Sequence, residues 1–176
     1  MTPYPGPMPE VIRAAERADV PALLGLVRDL AEYEREPDAV EATEQHIEQA
    51  LFPADGEPRS HALVAETDGE VVAMAVWYVT FSTWTGRHGI WLEDLYVRPE
   101  QRGAGLGTAL LARLAATAVE RGWARLEWWV LGWNTPSIEF YDALGAQPMR
   151  EWVHYRLDGD ELSALAARMA PEGCSR

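Results

Sequence analysis

Cysteine is nearly absent. The single one, Cys174, lies in a polar C-terminal tail, which excludes a disulfide framework and a cysteine metal cluster and makes a reducing compartment the default. The four histidines, His46, His61, His88 and His154, share no ligand spacing, so neither a metal nor a histidine base is expected. Basic residues are few: 15 against 28 acidic ones leave a net charge of −13. That balance argues against a nucleic-acid surface, which needs concentrated cations, and fits solubility or a cationic small-molecule partner. No segment approaches the run of about 20 apolar residues that spans a bilayer. The start, MTPYPGPMPE, lacks the basic and apolar regions of a signal peptide, so no membrane partner and a cytoplasmic location are expected. Two nucleotide motifs are also missing. No Gly-Lys-Ser or Gly-Lys-Thr occurs, and counting from Gly103 the sixth place of a dinucleotide fingerprint is Thr108.

What is present reads as one domain. Residues 1–9 carry four prolines and a glycine and are expected to be a flexible lead-in, with a single domain over 10–170 and a flexible tail over 171–176. Val11 to Arg13 suits a short strand. Asp19 as N-cap and Pro21 in the first turn open a helix to about Glu34, with Val20, Leu23, Leu24, Val27, Leu30 and Ala31 as its apolar stripe. The acidic stretch Glu32 to Glu44 is a connection, read either as a solvated loop or as a rim that attracts a cation. A second helix follows from Thr43 to Leu51. His61 to Glu66 and Glu70 to Thr80 flank Thr67-Asp68-Gly69 as a hairpin, Phe81 to His88 is a loop, and Gly89 to Val97 is a third strand. A helix over Thr108 to Arg121, a strand over Arg125 to Val130, a helix over Pro136 to Leu144 stopped by Gly145, a strand over Met149 to Leu157 and a last helix capped by Asp158 or Asp160 complete the reading.

The stretch Leu92 to Thr108, LEDLYVRPEQRGAGLGT, carries the chemistry. An apolar strand with two consecutive carboxylates, Glu93 and Asp94, runs into a glycine-rich loop that opens a helix. Unpaired N–H groups and the helix dipole make such a terminus suited to phosphate, glycine lets the anion approach the backbone, and Arg102 or Arg98 can add charge. A close-packed turn without a ligand is the alternative for the loop taken alone.

Three further features make the chain recognisable. The R-x-x-G-x-G of Arg102, Gly105 and Gly107 between a strand and an amphipathic helix resembles the acetyl-coenzyme A pyrophosphate loop of the GNAT acyltransferases. LEDLYV at Leu92 to Val97, WNTPSIEFYDALGA at Trp133 to Ala146 and EYERE at Glu32 to Glu36 are similar to the diamine (spermidine/spermine) acetyltransferase branch. The resemblance spans about Val11 to Met169. It implies an α/β (α+β) GNAT fold: a mixed, mostly antiparallel twisted sheet with helices on both faces, assembled as a homodimer.

The resemblance also implies a site. The pantetheine arm lies along Leu95, Tyr96 and Val97, and the pyrophosphate meets Arg102, Gly103, Ala104, Gly105, Leu106, Gly107 and Thr108. Later cofactor contacts fall on Asn134, Pro136 and Ser137. Glu93 matches the carboxylate beside the amine, and Tyr141 the tyrosine near the thioester sulfur. Tyr33, Glu34, Asp94, Glu127, Trp128, Trp129, Glu151 and Trp152 form the acceptor side. Arg150 stands where an acidic contact is expected, which favours a diamine or lysine analogue over spermine.

Elementary chemistry agrees with these roles. A primary amine with a pKa near 10.4 is protonated at neutral pH, so a base or water relay must remove a proton before attack. Glu93 or Asp94 can serve. Neighbours on a strand face opposite sides, so only one is expected to line the cleft, and Glu93 is preferred. A departing thiolate needs a proton donor, for which Tyr141 is suited, although its spacing alone fits a core tyrosine. Trp84, Trp91, Trp128 and Trp152 can supply cation–π walls or packing anchors. The expectation is thus direct acetyl transfer from acetyl-coenzyme A to a primary amine of a small polycation. Alternatives are an amino acid, an aminoglycoside-like compound or a protein amine as acceptor, or a non-catalytic coenzyme A-binding regulator.

Overall fold

The computed structural model describes residues 11–169, so the expected lead-in and tail lie outside the described residues. The chain divides into two compact units, one ending at Trp129 and the other beginning at Val130.

In the first unit the elements are β1 (Val11–Ala14), α1 (Val20–Tyr33), α2 (Glu44–Leu51), β2 (His61–Thr67), β3 (Glu70–Ser82), β4 (Arg87–Val97), α3 (Leu106–Glu120) and β5 (Leu126–Glu127). They form one sheet in the order β1-β2-β3-β4-β5. The first three pairings are antiparallel and β4–β5 is parallel, so the sheet is mixed and mostly antiparallel as expected.

Alternation along the strands sends successive side chains to opposite faces. Ala62, Val64, Met74, Val76 and Tyr96 pack with Leu23 and Leu26 of α1 and Leu51 of α2. The intervening Leu63, Ala65, Ala73 and Ala75 are buried too, and α3 packs against β2, β3 and β4 through its stripe of Leu106, Leu110, Leu114 and Ala118. Helices therefore cover both faces, and each central strand reads as a nearly continuous apolar run.

Asp19 occupies the N-cap position of α1 but makes no side-chain cap. Its carboxylate accepts from Arg13 Nη1 and Nη2 at 2.6 and 2.9 Å and from the Glu16 N–H at 2.7 Å. Arg13 also reaches Glu66 on β2 at 3.0 Å. The charge expected to start a helix instead ties β1 to the turn before α1, and Arg13 carries the link on to β2 through Glu66.

The expected Phe81–His88 loop is shorter. β3 continues to Ser82 and β4 starts at Arg87, because buried Ser82 accepts the Gly86 N–H at its carbonyl (2.8 Å) and the Thr85 N–H at its hydroxyl (3.3 Å). Gly86 closes this turn at φ +65°, and Trp84 sits exposed at the tip. The strand expected over Arg125 to Val130 contracts to two residues, opposite Ile90 and Trp91.

The second unit contains α4 (Thr135–Ala143) and α5 (Gly159–Ala167). Asn134 caps α4 by accepting the Ser137 N–H at 3.3 Å. Gly145 at φ +86° ends it, with Gly145 N–H bonded to Asp142 O and Ala146 N–H to Tyr141 O, the pairing of a Schellman motif. Met149 to Leu157 is not a strand: Arg150 and Glu151 lie in a turn and the rest is irregular and exposed. Its alternating pattern suits a strand, but a strand exists only through a pairing edge, and no strand lies in this unit among the described residues.

Candidate active site

The acidic site is made by a bulge in β4. Asp94 lies opposite Val76 and Leu92 opposite the adjacent Trp77, so Glu93 is the extra residue in the ladder. The alternation that would have sent Glu93 and Asp94 to opposite faces is broken there. Glu93 is exposed and its Oε2 accepts the indole N–H of Trp91 at 3.1 Å. Asp94 is half-buried in the wall of a cavity of about 210 Å³ whose other sides are Leu23, Val27, Ile47, Leu51 and Val76. Burial pushes the Asp94 carboxyl up to about 6, and the nearby charges of Glu93 and Glu34 add to the rise. Burial also raises Glu34, the residue after α1.

Aromatic rings wall the same region. Trp91 meets Trp129 edge-on at 4.7 Å between centroids and lies near-parallel to its cross-strand partner Tyr78 at 6.4 Å. Burial, and then Glu93, raise the Tyr78 hydroxyl. Glu93 against these rings, with the charges of Asp94 and Glu34 within electrostatic reach, makes a setting that favours an ammonium group over an anion. Tyr78 escaped sequence reasoning because only the register opposite Trp91 brings it to the site.

Glu127, expected on the acceptor side, is held by Arg125 at 2.6 Å. Trp128 follows it at the end of β5 and is half-buried.

Beyond Trp91, β4 has no pairing partner on its β5 side among the described residues. The backbone edge at Leu95 and Tyr96 thus lacks a strand partner and can take an extended ligand, while at Val97 the carbonyl is taken by Arg102 Nε. The loop that follows fits an anion through its backbone. Gly103 and Gly105 both adopt φ +83°, with nothing within 4 Å of where a Cβ would stand, and Gly105 is the N-cap of the 15-residue α3. Ala104, Leu106, Gly107 and Thr108 complete the turn from exposed loop to helix. Neither arginine adds its charge there as simply as expected. Arg98 is paired with Glu70, and Arg102 turns its Nε to Val97 O at 3.0 Å.

In the second unit, Asn134 is buried, Pro136 and Ser137 lie in the first turn of α4, and Tyr141 is on the same helix with its ring 5.2 Å from Phe140. Glu151 and Trp152 are exposed outside regular structure.

Known proteins match this arrangement. The acetyltransferase (GNAT) family pattern matches residues 24–146. The chain is 39% identical to a thialysine N-epsilon-acetyltransferase of Bos taurus over 170 residues, covering 90% of this chain and 98% of the relative. It is 32% identical to a human spermidine/spermine N(1)-acetyltransferase-like protein 1 over 165 residues, which are 88% of this chain and 23% of that longer protein. Among solved structures, an integron cassette protein from the mobile metagenome of V. cholerae superposes with a TM-score of 0.75 at 26% identity, covering 90% of this chain and 98% of the other. The chain belongs to the GNAT acetyltransferase family. It is an N-acetyltransferase, and acetyl-CoA is the acyl donor of that family.

Proposed function

We propose that the enzyme acetylates the terminal primary amine of a lysine-like compound such as thialysine, or of a diamine, by direct transfer within a ternary complex. The observation that carries this reading is the Glu93, Asp94 and Glu34 cluster beside Trp91, Trp129 and Tyr78, an ammonium-selective wall beside the open edge of β4. The relatives whose names specify thialysine support the lysine-like side chain.

In this reading the loop from Arg102 to Thr108 holds the pyrophosphate by backbone N–H groups, and the backbone of Leu95 to Val97 receives the pantetheine arm. Asn134, Pro136 and Ser137 are assigned to the same cofactor on the family pattern. Glu93 takes the proton from the bound ammonium. A second reading gives that task to Asp94, favoured by its raised carboxyl, since a base near 6 accepts a proton far better than one of ordinary acidity while remaining ionised at neutral pH. Tyr141 protonates the departing thiolate; its support is the NTPSIEFY run that holds it. Tyr33, Trp128, Glu151 and Trp152 are assigned to the acceptor side on the same pattern. Cytoplasmic residence and a homodimer belong to this reading as family expectations.

The test is a thiol-release assay with acetyl-CoA and a panel of thialysine, lysine, ornithine, putrescine, spermidine, an aminoglycoside and a protein with accessible lysines. Thialysine or a diamine is expected to give the highest kcat/KM. Turnover confined to aminoglycosides or protein amines, or tight CoA binding with a silent panel, would overturn the assignment.

A further inference from the structure

Arg102 is expected from its motif to serve the phosphate, yet its side chain is engaged with the protein. Nε donates to Val97 O at 3.0 Å, which pins the base of the glycine loop to the end of β4. The guanidinium carbon lies 4.9 Å from the Tyr33 ring centroid and 5.6 Å from that of Tyr96. Tyr96 is buried in the core under α1, while Tyr33 is the last residue of α1, next to Glu34. Nearby Arg98 is occupied by Glu70 and lies 3.9 Å from Asp29, whereas no carboxylate lies within salt-bridge distance of Arg102 among the described residues. One unneutralised cation is therefore fixed between a rigid ring and a ring at the end of a helix, at the root of the proposed pyrophosphate loop.

We infer that Tyr33 is a positioning residue for coenzyme A, acting through Arg102 from the acceptor end of α1. The ring restricts a long side chain that would otherwise sample many rotamers, so the loop pays less ordering entropy when the anion arrives. Aromatic faces attract a guanidinium without neutralising its charge, so Arg102 keeps its field at the loop. A carboxylate in the same place would hold the side chain and cancel that field. The inference rests on the reading of residues 102–108 as the pyrophosphate loop.

The experiment is CoA affinity by calorimetry in the absence of any amine, on the full chain. Tyr33→Leu is expected to weaken CoA about fivefold, Tyr33→Phe to restore it to within about twofold because the ring face is retained, and Arg102→Met to weaken it further. Combined with Arg102→Met, Tyr33→Leu is expected to add nothing. Thermal melts of the CoA-free proteins confirm folding, and Tyr33→Gln replaces Tyr33→Leu in the cycle if the latter does not fold. Unchanged CoA affinity in a folded Tyr33 variant, or losses that add in the double variant, would overturn the inference. A wild-type protein that fails to bind CoA would instead remove the loop assignment on which it stands.

Discussion

The indole N–H of Trp91 donates to Glu93 Oε2 at 3.1 Å across the one place where β4 breaks its ladder with β3. The bond orients an exposed carboxylate that a regular strand would leave to rotate. Trp91→Phe keeps a ring against Trp129 and Tyr78 but removes the donor. It is expected to lower kcat/KM for the amine about tenfold with little effect on CoA affinity, as steady-state kinetics and calorimetry would show.

The two carboxylates are separable by pH. If Glu93 is the base, Glu93→Gln is expected to cut kcat/KM most at low pH, where nearly all amine is protonated, and Asp94→Asn to leave the profile's shape unchanged. If Asp94 is the base, wild-type kcat/KM rises through about pH 6 as Asp94 ionises, and Asp94→Asn abolishes that limb. Measuring kcat/KM from pH 5 to pH 9 decides between them.

Asp94 also weighs on stability. Its folded pKa of about 6 lies above the unfolded value of 3.8, so protonation favours the folded state and stability is lost as pH rises from 3.8 through 6. Asp94→Asn removes that loss. The variant is expected to be more stable at pH 7 by about 1–3 kcal/mol in urea unfolding while losing activity, and to show little gain at pH 4.

Asp19 titrates in the opposite sense. The Arg13 guanidinium holds its carboxyl below the ordinary range, so its stabilisation is present above the unfolded value of 3.8 and disappears as pH falls through the lower folded value. Arg13→Met is expected to cost about 2–3 kcal/mol at pH 7 and much less at pH 2, measured by denaturant unfolding at both.

Gly105 carries φ +83° at the N-cap of α3. Gly105→Ala places a Cβ in a left-handed conformation and is expected to cost about 1–2 kcal/mol, with a parallel loss of CoA affinity because the loop backbone must move.

Much of this was legible in the residues. The glycine loop, the hairpin about Asp68-Gly69, the stripes of α1 and α3 and the helix stop at Gly145 are local signals, each fixed by a few neighbours in sequence. The bulge at Glu93 was not legible, because it depends on the register β3 imposes. The platform under Arg102 was hidden for a similar reason: it needs Tyr33, which only tertiary packing delivers. The alternation from Met149 to Leu157 misled, since patterning describes a surface that can pair and not the edge it pairs with. Asp19 misled in another way, as a good capping residue claimed by a stronger partner in Arg13.

The edge-on contact of Trp91 with Trp129 has an optical consequence. Two indoles at 4.7 Å couple their ultraviolet transitions, and the pair stands against the carboxylates proposed to receive the amine. On the proposed reading, an amine held beside Glu93 changes the field on both rings, and the enzyme carries its own reporter. Near-ultraviolet circular dichroism can follow amine binding without label or turnover, and Trp129→Phe supplies the blank.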